Sequence, residues 1–124
     1  MALSRKQSRE VAYRALFALS YNNTPEWEPV SGPEGNYIDK LCAAVVDNLE
    51  AIDGIIKQHS KGFSFDRIFK TDLTALRMGI AEVKFFEGTP AVVAINEAVE
   101  IAKKYGTEKS GTFVNGILAA VLNG

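Results

Sequence analysis

Apolar residues in this chain recur every three or four positions and almost never alternate, the signature of amphipathic helices rather than strands. Val11, Ala12, Ala15, Leu16 and Leu19 keep that spacing and Ser4 stands where an N-cap belongs, so a first helix is predicted over 4–21. From Asn22 to Gly35 the pattern breaks. Pro25, Pro29 and Pro33, with Trp27 and the acids Glu26, Glu28 and Glu34, read as a loop. Leu41, Val45, Leu49, Ile52 and Ile56 predict helix over 36–60, bent near Gly54 and stopped at Gly62. The aromatic stretch 63–69 predicts a short helical turn around Asp66.

Thr71 is the expected cap of a helix running to Glu87, striped by Leu73, Leu76, Ile80 and Val83 and ended by Gly88. Thr89 and Pro90 then offer an N-cap and a first helical residue for a helix through Ala91, Ile95, Ala98, Val99 and Ala102 that stops at Gly106. The last helix is expected from Lys109 or Ser110 to Leu122, with Phe113, Ile117, Leu118 and Val121 inward. Asn115-Gly116 lies inside that pattern and Asn123-Gly124 at its end, so neither marks a hairpin. The expected fold is all-α, a compact bundle of about six or seven helices in one domain spanning 1–124.

Composition narrows the class. With 124 residues, 47% apolar and 23% charged, the chain can bury a core without staples. Its formal net charge of −1 rules out a global basic field, so any nucleic-acid binding must come from a local patch. The single cysteine, Cys42, cannot form an internal disulfide and fits a reducing compartment. No signal peptide and no membrane-spanning apolar run are read, so a cytoplasmic protein is expected.

Catalytic chemistry finds little footing. His59, the one histidine, sits near a helix C-terminus, where a partly charged imidazole is favoured without any catalytic role. Cys42, beside Ala43 and Ala44, reads as a small core residue. One histidine and one cysteine without suitably spaced carboxylates make no zinc site, and the glycines act as helix stops rather than as a phosphate-cradling loop. Glu97 and Glu100 read as a solvated face. No catalytic residue, metal or cofactor is expected. Two residues need structural explanations. Arg77 among apolar neighbours should pair with Glu82 or Glu97, and Gly116, helix-breaking by roughly 1 kcal/mol relative to alanine, should mark a close helix crossing.

The first twenty residues hold four basic side chains and one acidic one. On a helix, Lys6, Arg9, Tyr13 and Phe17 fall along one strip beside the aliphatic face. Cations for phosphates and rings for unpaired bases suit single-stranded RNA. The alternative is a solvated basic face with Phe17 buried.

Three further segments carry a resemblance. Asp72, Leu76-Arg77 and Glu82, then Ala94-Ile95-Asn96-Glu97-Ala98-Val99-Glu100-Ile101-Ala102-Lys103, then Phe113-Val114-Asn115-Gly116-Ile117-Leu118, closely resemble the NusB transcription-antitermination family. Arg9-Glu10 with Ala15-Leu16-Phe17 is similar to that family's first helix. The resemblance implies two packed helical sub-bundles and a non-enzymatic factor. Such a factor binds boxA RNA together with NusE, a small-subunit ribosomal protein, and supports ribosomal RNA transcription within an RNA polymerase antitermination complex. It implies an RNA side with Arg5, Lys6 and Arg9, joined by Lys109 and Ser110 before the last helix; Tyr13 aligns with that basic strip. It puts Phe17 and Asp72 on the NusE-facing surface, and it is compatible with a homodimer that hides the basic strip. Lys109 departs from the acidic residue the family can carry there. NusB-like domains also occur fused to ribosomal RNA cytosine methyltransferases, so a detached domain of such an enzyme is one alternative and a generic helical interaction module another.

Overall fold

A computed structural model describes residues 3–22, 33–60 and 62–123. The expected loop around Trp27, with Glu26 and Glu28, lies outside the described residues. Seven α-helices are described: α1 (Arg5–Phe17), α2 (Leu19–Asn22), α3 (Pro33–Asp47), α4 (Leu49–His59), α5 (Lys70–Lys84), α6 (Ala91–Tyr105) and α7 (Ser110–Asn123). One 3-10 turn, Phe65–Arg67, precedes α5, where the sequence predicted a turn around Asp66.

Local chemistry sets the ends. Ser4 and Gln7 form a reciprocal capping box at the start of α1, with bonds of 2.8 and 3.0 Å. The single first helix expected to Tyr21 is interrupted at Ala18, where the Ser20 hydroxyl donates to the Phe17 carbonyl at 2.6 Å. The break between α3 and α4 falls at Asn48 and not at Gly54. Asn48 Nδ2 donates to the Ala44 carbonyl at 2.9 Å, satisfying an orphan acceptor at the end of α3, while Gly54 lies exposed within α4.

Thr71 is not the cap of α5. That position belongs to Phe69, which has no side-chain cap bond, and Thr71 lies inside the first turn. Nor does Thr89 cap α6: Pro90 occupies the cap position and the Thr89 hydroxyl turns instead to Glu82. Gly88, at φ +105°, makes the reversal between α5 and α6 that a residue with a Cβ resists.

α5 is the axis of the bundle. It is buried without interruption from Asp72 to Glu82, with α1, α3 and α4 packed on it from one part of the chain and α6 and α7 from the other. A helix covered on all sides must pair its polar residues. Arg77 does so with Asp53 of α4, through two bonds of 2.9 Å, and with neither Glu82 nor Glu97. Cys42 is fully buried, and burial pushes its thiol up to about 12, consistent with a core role.

The close helix crossing is at Gly79, not Gly116. A Cβ on Gly79 would stand 2.8 Å from Leu118 Cδ1 and 3.2 Å from Ala98 Cβ, whereas Gly116 is exposed and meets no described atom within 4 Å. Ala98 has no rotamer with which to yield. Gly79→Ala should therefore destabilise by about 1–3 kcal/mol through overpacking. Gly116→Ala should instead stabilise by up to about 1 kcal/mol through helix propensity. Urea melts of the two variants check both signs, and equal effects would place the crossing wrongly.

Candidate functional site

The strip expected on α1 divides between interior and surface. Arg9 is 4% exposed and points inward. Its Nε and Nη2 reach the two carboxylate oxygens of Glu82 at 2.9 and 2.7 Å, and Nη1 lies 3.9 Å from Glu97. Glu82 also accepts from the Tyr37 hydroxyl at 2.9 Å and the Thr89 hydroxyl at 2.8 Å. Burial opposes ionisation of Glu82. The hydrogen bonds from Arg9, Thr89 and Tyr37, with the Arg9 charge, outweigh it and hold the carboxyl below its ordinary range. Arg9 thus ties α1 to α3, α5 and the start of α6, and its guanidinium is not free to meet a phosphate as the sequence expectation required.

Tyr13 and Ser110 are also inside. Tyr13 donates to the Thr71 carbonyl at 2.9 Å and stacks on Tyr105 at 4.9 Å. Ser110 Oγ accepts from the Thr107 amide at 2.8 Å, shaping the turn into α7. Their hydrogen bonds are structural, which corrects their expected place on the RNA surface. Arg5, Lys6 and Lys109 remain exposed. The Arg5 guanidinium lies 3.9 Å over the Tyr37 ring, so that cation is partly ordered by an aromatic face.

Around α1 the structure assembles residues that sequence reasoning missed. Tyr21, 68% exposed, meets Phe17 edge-on at 5.2 Å; Phe17 lies 6.5 Å from Tyr13, and Tyr105 closes the row. Phe17 is half-buried. Tyr13, Arg14, Phe17, Thr71 and Tyr105 line a groove of about 340 Å³. Arg14 donates to the Tyr105 hydroxyl at 3.2 Å, and the Lys70 ammonium stands 5.8 Å from the Tyr21 ring. Tyr13, Phe17 and Tyr21 are spaced by four in the sequence and so legible as a stripe. Tyr105 and Lys70 come from α6 and α5, and only the fold brings them there.

A second, also largely apolar groove of about 210 Å³ lies on the other side of the start of α5. Phe69 (61% exposed), Phe63 (57% exposed), Phe113 and Ile68 line it, with Lys109 and Asp72. Phe63 and Phe113 meet at 5.0 Å. Asp72 is 5% exposed, and its Oδ1 has no hydrogen-bond partner among the described residues. Burial pushes its carboxyl above the ordinary value, with a Ser110 hydrogen bond opposing in part. Asp72, expected on the NusE-facing surface, thus lies in the groove wall with its carboxylate largely buried. Thr71 borders the first groove and Asp72 the second, so the two grooves flank one helix start.

Among the described residues no helix is long and apolar enough to cross a membrane, and no group of three or more His, Cys, Asp or Glu could hold a metal ion. A small all-helical protein with an aromatic, cation-rimmed groove beside an apolar one has the surfaces of a binding adaptor. The chain belongs to the NusB family, whose model matches residues 6–123. It is 40% identical to the transcription antitermination protein NusB of Acetivibrio thermocellus, over 97% of this chain and 89% of the relative. It is 36% identical to the Agathobacter rectalis protein of the same name, over 94% and 98%. Among solved structures it is similar to T. maritima NusB with a TM-score of 0.88 and 30% identity, covering 99% of this chain and 93% of that one. A structure of the antitermination factors NusB and NusE in complex with double-stranded RNA matches with a TM-score of 0.83 and 30% identity, over 96% of each chain.

Proposed function

We propose that this protein is a non-enzymatic, cytoplasmic transcription antitermination factor that binds boxA RNA together with NusE and joins the RNA polymerase antitermination complex. The observation that carries this is the exposed Tyr21 ring with exposed Arg14 and Lys70 near it, on a protein whose α1 also exposes Arg5 and Lys6. An exposed ring among exposed cations suits an unstacked base and its phosphate. The family membership and the NusB–NusE–RNA structure of similar fold support the same function. In this reading Arg5, Lys6 and Lys109 meet the phosphates. Arg9, Tyr13 and Ser110 position the elements that carry them, and Phe17 and Asp72 border the NusE side.

The test is binding of boxA RNA in the presence of NusE across a salt series. Replacing Arg5, Lys6 and Lys109 together with alanine should weaken binding and flatten the salt dependence by about 0.7 per lost phosphate contact. None of the three is buried, so the melting curve should stay near that of the parent. Affinity and slope unchanged in a folded variant would remove RNA from this face.

A further inference from the structure

A third cleft, of about 710 Å³, lies between α3 and the α5–α6 turn and shares only Arg5 with the surfaces above. Its volume falls within the range of small-ligand sites, roughly 300–1,000 Å³. Asn36, Lys40 and Asp47 line it from one strip of α3, Phe85 from the end of α5, and Arg5 over Tyr37 from the side of α1. Lys40 is exposed and Phe85 is 38% exposed, so both are accessible from the cleft. Arg5 and Lys40 supply the cations of the cleft; Asp47, almost two turns beyond Lys40 on α3, and Glu87 of the α5–α6 turn supply its acids.

Arg5 belongs to both this cleft and the proposed phosphate-binding strip, so the two surfaces are continuous. A planar guanidinium held 3.9 Å over the Tyr37 ring is already ordered for a second stacking partner, which an unrestrained arginine would meet at greater entropic cost. We infer that the cleft receives one nucleotide flanking the boxA element, its base against the Arg5 guanidinium and the Phe85 ring and its phosphate on Lys40. Asp47 and Glu87 disfavour a phosphate away from the Arg5–Lys40 pair, so the cleft holds one nucleotide and the strand does not run through. This inference rests on the RNA-binding function proposed above, and it adds a position outside the core site.

A nested set of single-stranded RNAs tests it: boxA alone, and boxA with one to three extra nucleotides at the 5′ end or at the 3′ end, each titrated with NusE present. One added nucleotide at one of the two ends should tighten binding about fivefold or more, the scale of one base stacked on an aromatic or guanidinium plane. Lys40→Ala and Phe85→Ala should each erase most of that gain while leaving the affinity for boxA alone unchanged. Lys40→Ala should also lower the salt slope of the extended RNA, and only of that RNA, by about 0.7. An equal gain in parent and variants, or no gain at either end, overturns the inference while the core function stands. Failure of boxA alone to bind removes both. Should Phe85→Ala prove unstable, Lys40→Ala decides alone, since Lys40 makes no described core contact.

Discussion

Arg9→Ala is expected to cost about 3–5 kcal/mol of stability, the penalty for stranding a buried charge after its partner is removed. The charge stranded is that of Glu82, 2% exposed, which would keep only the Tyr37 and Thr89 hydroxyls. For a small domain that is a large part of the whole. Any loss of RNA binding in this variant should follow the unfolded fraction rather than the salt slope, because Arg9 is occupied within the core. The pair differs from its two halves. Replacing both residues with apolar ones, Arg9→Met with Glu82→Leu, should cost far less than either single change, since the ion pair's attraction is largely spent against desolvation.

The same site sets an acid dependence. The folded value of Glu82 lies below its unfolded value, so its contribution is present above the ordinary glutamate pKa of about 4.3 and is lost as pH falls through the folded value. Urea melts from neutral pH downwards should show the parent losing this contribution and the doubly apolar variant not. A single variant as stable as the parent at neutral pH would contradict the network.

The helices were legible because their apolar spacing is a local property, visible along α4, α5, α6 and α7 without any partner. Boundaries were less so. The break at Asn48 depends on a side-chain amide reaching back to Ala44, which no apolar count detects. The surface of α1 was misread for a related reason: the strip was judged by charge, and charge alone assigns arginine to solvent. Yet Arg9, Ala12, Tyr13 and Leu16 step by three and one in the pattern of a buried face, and all four are buried. Glu82 held the complementary signal. It is an acid closing a run of apolar residues that only a cation from elsewhere could satisfy. The grooves were not legible, because each joins residues from helices distant in sequence, Tyr13 with Tyr105 and Asp72 with Phe113. Gly79 was passed over for Gly116 because a one-helix view cannot tell which side a neighbour will approach.

Phe69→Ala is expected to weaken NusE binding by about 2 kcal/mol or more, thirtyfold in affinity, with little change in stability. The ring is 61% exposed and takes no part in the core, so its removal leaves no cavity in the free protein. An exposed aromatic beside Ile68 and Phe113 gains its burial only when something covers it. Asp72 gives the covering segment a second requirement. Its unpartnered Oδ1 at the groove wall needs a donor, and a carboxylate already costly to keep charged gains most from a cation. The fitting segment therefore presents an apolar side chain with a hydrogen-bond donor nearby, in a groove that Arg67 and Lys109 of this chain also line. Asp72→Asn is the substitution that tests this, because a lysine at so buried a position would disturb the fold on its own account. The amide keeps the shape, lacks the charge and should reduce affinity by tenfold or more. The sign with pH follows from the raised pKa. Affinity of the parent for NusE should fall as pH drops through a value above the ordinary aspartate range, as Asp72 takes up a proton, while the Asn variant stays flat over the same interval. Titrations of parent, Phe69→Ala and Asp72→Asn against NusE at several pH values, with melts alongside, measure both effects. If both variants bind NusE like the parent, the groove faces solvent in the complex and the partner lies elsewhere.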